Sequence, residues 1–115
     1  MSEALVVVIA GESRVLPMER VVEIRVHHGT TRIPGAPEWV RGFVDLKGRP
    51  VEVFDAARRL GRGQLRLDER SCVIFVDTAD GFAGMLVDSV EGIIADAGAI
   101  PAIDLDMFFG KAAIA

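Results

Sequence analysis

The sequence predicts an all-β domain, and three observations carry that prediction. Short runs rich in β-branched residues recur at roughly ten-residue spacing, glycine-containing turns separate them, and few segments show helical periodicity. The chain has 115 residues, of which 50% are hydrophobic. A chain of this length and hydrophobic content can form one buried core but is too short for two ordinary domains. We therefore expect residues 1–115 to form a single domain.

The first part of the chain predicts a hairpin followed by an ambiguous segment. Leu5 to Ala10 and Arg14 to Pro17 are apolar runs on either side of the turn residues Gly11-Glu12-Ser13. This arrangement is typical of a β-hairpin. Met18 to Ile24 has apolar residues among charged ones and fits either one or two helical turns or a further strand. Both alternatives stay open.

A second hairpin is predicted in the middle of the chain. The prolines Pro34 and Pro37 precede the apolar run Val40 to Leu46, which is followed by the turn Lys47-Gly48-Arg49-Pro50 and by Val51 to Phe54. Within this hairpin Phe54 is expected to point inward. By the period of two, Val44 and Leu46 share one face of the strand, and Phe43 and Asp45 share the other.

The remaining elements follow from caps and turns. Local chemistry predicts a short helix capped by Asp55, two paired strands, a last strand, and a closing helical turn capped by Asp104. Their expected ranges are Ala56 to Leu60 with Gly61 as the stop, Ser71 to Val76, Phe82 to Val87, Ala99 to Ile103, and Leu105 to Phe109.

Several of these runs together resemble the CheW-like domain family. The resemblance rests on Leu16-Pro17-Met18 with Val21 to Ile24, on Ile33-Pro34 with Pro37, on Gly42 to Gly48, and on Gly84 to Gly92, which reads GMLVDSVEG. It implies two SH3-like, five-stranded β-barrel subdomains that share a core and carry few short helices. Many short strands in two halves agree with that architecture.

The chain departs from the family pattern at two places. Lys47 stands where the family usually has arginine, so a planar two-pronged donor becomes a point charge. In addition, Gly92-Ile93-Ile94 is followed almost at once by a run that resembles the final strand of the family. The second subdomain is therefore expected to lack a strand. An exposed strand edge recruits another chain or is covered by a loop, so we expect a homodimer.

The resemblance implies a non-enzymatic adaptor in chemotaxis signal transduction. Such a scaffold couples the cytoplasmic tips of chemoreceptors to the regulatory domain of a CheA-type histidine kinase through protein–protein interaction. The positions that match the family and would bind a partner are Arg41, Gly42, Lys47, Val87 and Asp88. Trp39 is added as a possible aromatic anchor because it lies in the loop before the central hairpin. The alternative is a diverged regulator or ligand-binding module of the same fold that no longer couples the kinase.

Other functional classes find little support in the sequence. The aspartates are expected to cap helices and turns, and the adjacent His27 and His28 could not chelate one metal from a strand. We expect no catalytic, metal or cofactor-binding residue. A net charge of −4 and an arginine cluster interrupted by Asp68 and Glu69 disfavour nucleic acid. No apolar run reaches the about 20 residues of a membrane span, so we expect a cytoplasmic protein without direct membrane insertion.

Overall fold

The computed structural model describes residues 3–31 and 33–110 as eight strands and a few short helical segments. The elements are β1 (Ala4–Ile9), β2 (Glu12–Pro17), a 3₁₀ turn (Met18–Arg20), β3 (Val21–Val26), β4 (Val40–Leu46), β5 (Arg49–Asp55), α1 (Ala56–Leu60), β6 (Cys72–Thr78), β7 (Gly81–Val87), β8 (Ser89–Ile94) and α2 (Leu105–Phe108). The predicted all-β class with few short helices is confirmed.

The strands form two sheets, as the two expected subdomains require. One sheet has five strands in the order β3-β6-β7-β5-β4, and the other has three in the order β2-β1-β8. All pairs are antiparallel except β5 with β7. The chain passes from the larger sheet to the smaller one at Asp88, whose N–H donates to the Val8 carbonyl at 2.9 Å.

Two apolar clusters account for most of the burial. The five-stranded sheet curls around an inner core of Leu46, Val51, Val53, Val73, Phe75 and Leu86. A larger core lies on the opposite face of that sheet, where Ile74, Met85 and Phe54 meet Leu5 and Val7 of the smaller sheet. Because both sheets contribute to this second cluster, neither buries its apolar face alone.

The inner core leaves no room for a side chain at one glycine of the GMLVDSVEG motif. A Cβ atom on Gly84 would lie 3.1 Å from the side chains of both Val53 and Val73. Such a contact is too close for ordinary packing. This glycine is therefore required by packing between neighbouring strands.

The expected last strand is the main correction to the sequence-based assignment. Instead of a strand over Ala99 to Ile103, the segment makes a single bridge in which Ala102 pairs with Val15 of β2. The Val15 N–H donates to the Pro101 carbonyl, and the Ile103 N–H donates to the Val15 carbonyl, both at 3.0 Å. Pro101 has no N–H to extend the ladder, and α2 begins at Leu105. Three strands and one bridge segment thus stand where the resemblance implies five strands.

The segment after the first hairpin, which the sequence left open between helical turn and strand, contains both, one after the other. A 3₁₀ turn covers Met18–Arg20, and β3 follows at once. The helix predicted after the central hairpin has the expected limits. The Asp55 carboxylate accepts from the Arg58 N–H, and Gly61 adopts the left-handed conformation with φ of 67°.

Candidate partner-binding surface

The central hairpin positions Lys47 at an exposed turn. Lys47 and Gly48 both have positive φ, 53° and 84°, as a tight two-residue turn between twisted strands requires. The Asp45 carboxylate accepts from the Gly48 N–H at 3.2 Å and holds the turn from inside the hairpin. No described carboxylate lies within salt-bridge distance of Lys47. Its ammonium group is therefore free to meet an acidic group of a partner.

Arg41 lies at the other end of β4 and lines a polar cleft of about 450 Å³. The cleft is walled by residues from three segments: His27, Thr30, Glu38, Val40, Arg41, Asp55 and Arg58. Arg41 Nη1 lies 3.9 Å from Asp55 Oδ2, and Arg58 Nη1 lies 3.7 Å from Glu38 Oε2. Both distances are longer than a hydrogen bond. Two guanidinium groups, each in a loose ion pair with a carboxylate, thus line one cleft.

The histidine in this cleft is electrostatically disfavoured as a cation. Burial lowers the pKa of His27 below its ordinary value, and the charges of Arg41 and His28 lower that pKa further. The neutral His27 Nδ1 accepts a long hydrogen bond of 3.4 Å from the Gly29 N–H. The cleft therefore gains positive charge only on acidification.

Trp39 is half-buried and packs against the larger core. Its ring lies under the Arg59 guanidinium at 4.9 Å, and its carbonyl accepts from the Asp55 N–H. Arg59 also donates to the Phe108 carbonyl at 2.7 Å and the Gly110 carbonyl at 2.9 Å. The indole is thus held by Arg59 and its neighbours, and only its uncovered part is available to a partner.

Gly42 sits at an irregularity of the central hairpin. The register between β4 and β5 shifts between Val40 and Gly42, and Gly42 is buried with φ of 138°. A bulge of this kind re-aims neighbouring side chains and increases the local twist. Gly42 thus lies at a bulge directly beside Arg41.

Val87 and Asp88 lie inside the molecule. Val87 is fully buried in the larger core. The Asp88 carboxylate is also buried, and its two oxygens accept from the Gly11 N–H at 2.9 Å and the Arg66 N–H at 2.8 Å. These contacts tie the tip of the first hairpin to the loop after α1. The pair shapes the fold between the two sheets and presents little surface.

The six predicted residues do not converge on one spot. Arg41 and Lys47 stand at opposite ends of β4, about 20 Å apart for six strand steps. Trp39, Arg41 and Gly42 lie together at the start of β4, Lys47 lies at the hairpin tip, and the other two are internal. Any partner that touches both Arg41, which is half-buried, and the exposed Lys47 must extend along the hairpin.

Several aspartates accept hydrogen bonds from backbone N–H groups, as expected for caps and turns. Asp55 and Asp104 cap α1 and α2, and Asp45 and Asp88 accept from backbone N–H groups. Within the described residues, no group of three or more histidine, cysteine, aspartate or glutamate side chains could hold a metal ion. No helix in the described part of the chain is long and apolar enough to cross a membrane.

An apolar stripe on β3 was missed by the sequence analysis. Val22, Ile24 and Val26 are 37%, 39% and 50% exposed. Between them Glu23 and Arg25 turn toward the inner core, where Arg25 lies over the Phe75 ring at 5.4 Å. The alternation in Val21–Val26 is a clear signal for a strand. Its polar residues, however, occupy the inner face and its apolar residues the outer one.

The comparison with known proteins identifies the family. The model of the CheW-like domain matches residues 3–100. The chain belongs to the CheW-like domain family. The match covers every strand of both sheets and ends just before the bridge segment at Ala102.

Individual CheW-like relatives agree in sequence and fold. The chain is 34% identical over 83 residues to protein PilI of Pseudomonas aeruginosa, covering 72% of this chain and 47% of that protein. It is 26% identical over 92 residues to the chemotaxis protein CheW of Klebsiella aerogenes. That match covers 80% of this chain and 55% of that protein. The crystal structure of the scaffolding protein TtCheW from Thermoanaerobacter tengcongensis superimposes with a TM-score of 0.76 at 28% identity, covering 91% of this chain and 68% of that chain. The chain thus spans about half the length of these curated relatives.

Proposed function

We propose that this protein is a non-enzymatic signalling adaptor that couples a chemoreceptor to a histidine kinase in the cytoplasm. The observation that carries the proposal is the match to the CheW-like domain across residues 3–100, together with similarity to a scaffolding protein. The partners are the cytoplasmic tip of a receptor and the regulatory domain of a CheA-type kinase. No bond is made or broken. The adaptor changes kinase output by binding one signalling state more tightly than another.

The surface supports contact with an amphipathic helix. The β3 stripe supplies exposed apolar side chains, and clustered exposed apolar residues mark interaction sites. An amphipathic helix buries one apolar face against such a surface and keeps its charges at the rim. We propose that Trp39, Arg41 and Lys47 contact partners directly. Gly42, Val87 and Asp88 support binding by shaping the hairpin and the junction between the sheets.

Charge reversal tests the exposed cations. Arg41→Glu and Lys47→Glu are each expected to weaken binding of a receptor-tip fragment or a kinase regulatory domain by about tenfold or more, because opposed like charges are costly at an interface. Isothermal titration calorimetry measures the two affinities separately. Arg62→Glu is the matched control, since Arg62 is exposed and its side chain makes no hydrogen bond or ion pair with the described residues. Equal affinities for all three variants would remove both cations from the proposed surface.

The apolar stripe is tested in the same titration. Val26→Asp places a charge in the stripe, whereas Met107→Asp places one at another exposed apolar residue, on α2. Loss of receptor binding only in the first variant supports docking on β3. Equal effects would place the receptor elsewhere.

A ligand-binding regulator is the second candidate, because the polar cleft beside Arg41 is large enough for a small molecule. Its volume of about 450 Å³ falls in the range of ligand sites. Failure to bind either protein partner, together with thermal stabilisation by a small carboxylate, would favour this alternative. Binding of both proteins would favour the adaptor.

A further inference from the structure

Arg59 joins two parts of the molecule that are far apart in sequence. Its guanidinium lies over the Trp39 ring at 4.9 Å and over the Phe54 ring at 5.3 Å. Its Nε donates to the Phe108 carbonyl at 2.7 Å, and its Nη2 donates to the Gly110 carbonyl at 2.9 Å. A guanidinium makes both kinds of contact at once because its face stacks on aromatic rings while its edge donates hydrogen bonds. Arg59 therefore connects the end of α2 to the indole.

α2 depends on tertiary contacts because it has only four residues. A helix of this length is not stable alone in water. Asp104 caps α2 by accepting from two backbone N–H groups of its first turn, and Arg20 pairs with the exposed Asp106 at 3.2 Å. The buried side chains of α2 are those of Leu105 and Phe108. The position of α2 thus depends on a cap, one exposed ion pair, two buried side chains and the two hydrogen bonds from the guanidinium.

The backbone and the side chain of Trp39 are held by different contacts. Its carbonyl accepts from the Asp55 N–H at 2.6 Å, directly before α1 begins. Its indole lies under the Arg59 guanidinium, which also covers the Phe54 ring. The Phe108 ring of α2 lies 5.9 Å from the Phe54 ring. The loop backbone is therefore fixed at the junction of β5 and α1, whereas the indole is held by a group that α2 itself holds.

We propose that Arg59 is a positioning residue for Trp39 and makes the contact of Trp39 with a partner depend on the docking of α2. The effect on binding depends on the proposed function, in which Trp39 touches a partner, whereas the link from α2 to the indole does not. When α2 is loosened, Arg59 loses both carbonyl acceptors and the indole gains freedom that binding must then remove. Such coupling is reciprocal, so a bound partner stabilises α2 by the same factor by which docked α2 strengthens binding.

Tryptophan fluorescence tests the link without any partner. The chain has one tryptophan and no tyrosine, so the emission reports the Trp39 ring alone. Asp104→Ala removes the cap of α2. We expect the emission of this variant to shift to longer wavelength and to be quenched more strongly by acrylamide than that of the unsubstituted chain. Asp96→Ala is the matched control, because Asp96 accepts one backbone N–H in an exposed loop before α2, and it should leave both readings unchanged.

A double-mutant cycle tests whether the link passes through Arg59. Arg59→Gln should raise the quenching by itself, and adding Asp104→Ala to it should raise the quenching no further, because groups that act as one unit are not additive. Arg59→Lys keeps the charge but not the two-pronged donor, and it replaces Arg59→Gln in the cycle if circular dichroism shows that Arg59→Gln does not fold. Additive effects, or unchanged quenching in Asp104→Ala, would overturn the proposal.

Calorimetric titration tests the effect on binding, with a receptor-tip fragment and a kinase regulatory domain measured separately. For the partner whose affinity falls in Trp39→Ala, Asp104→Ala should bind about fivefold more weakly than the unsubstituted chain. In the Trp39→Ala background, Asp104→Ala should cause no further loss. The bound partner should in turn slow hydrogen exchange of the α2 amides.

The two halves of the proposal have separate outcomes. Unchanged affinities in Trp39→Ala or in Asp104→Ala would overturn the effect of α2 on binding. If the unsubstituted chain binds neither partner, the proposed function fails, and the fluorescence cycle still decides whether Arg59 links α2 to Trp39.

Discussion

Asp88, a residue of the GMLVDSVEG motif, is buried and makes its hydrogen bonds within the protein. Asp88 was expected to face a partner, but its buried carboxylate holds the Gly11 and Arg66 N–H groups. Both groups are distant in sequence from Asp88, so the contacts join three separate parts of the chain. A motif residue can thus support binding through the fold without touching the partner.

Replacing this carboxylate should measure its structural role. Asp88→Asn turns one acceptor oxygen into a donor nitrogen that faces an N–H group. We expect a loss of about 1–3 kcal/mol in the free energy of unfolding, measured by urea denaturation. Asp96→Asn is the control, because Asp96 accepts one backbone N–H in an exposed loop. Equal losses for the two variants would contradict the structural role.

His27 makes the stability dependent on pH. Its pKa is lower in the folded chain than in the unfolded chain, so the unfolded state binds more protons on acidification. Stability is therefore full above the unfolded pKa, about 6.5, and falls as the pH drops toward the lowered folded value. When the pH is lowered from 7 to 5, we expect the free energy of unfolding of His27→Asn to fall less than that of the unsubstituted chain. The exposed His28→Asn is the comparison, and identical pH slopes for the two variants would reject this role of His27.

At the level of elements, a side chain closes the five-stranded sheet. β3 and β4 are its two edges, and Arg25 spans them by donating to the Asp45 carbonyl. The same guanidinium pairs with Glu23 and covers the Phe75 ring. One side-chain hydrogen bond from Arg25 therefore joins the two edge strands of this sheet.

Removing this guanidinium should separate β3 from β4. Arg25→Met keeps an unbranched apolar stem but removes the guanidinium and leaves the partly buried Glu23 without its cation. We expect the free energy of unfolding to fall by about 1–3 kcal/mol and the β3 amides to exchange faster by hydrogen-exchange mass spectrometry. Arg49→Met, at an exposed position of β5, is the matched control. Unchanged β3 exchange in Arg25→Met would show that the barrel closes without the arginine.

Elements with local signals could be predicted from the sequence. The hairpins, the Asp55 cap and the Gly61 stop depend on neighbouring residues, so short-range chemistry decides them. The inward position of Phe54 follows from alternation and was also confirmed. These features needed no knowledge of the rest of the chain.

Features that depend on distant partners could not be predicted in the same way. Alternation in β3 shows two faces but not which one is inside, and here the charged face closes the barrel. The bridge between Ala102 and Val15 depends on the position of β2, which is distant in sequence. Pro101 has no N–H to donate, and only this one residue pair forms. The buried position of Asp88 likewise depends on loops far along the chain.

At the scale of the whole molecule, the two sheets are unequal parts of one structure. They share the larger core, and the smaller sheet has three strands against five. The exposed β3 stripe and the Arg41 cleft belong to the larger sheet and the segments around it, whereas the open β8 edge belongs to the smaller one. The proposed signalling contacts therefore lie on the larger sheet and the segments around it.

The mass of a ternary mixture tests the adaptor function most directly. Light scattering is measured on the protein alone, with a soluble receptor-tip fragment, with a kinase regulatory domain, and with both. We expect a complex with each partner and a ternary mass when both are present. A chain that folds but binds neither partner, or only one of the two at a time, would contradict coupling.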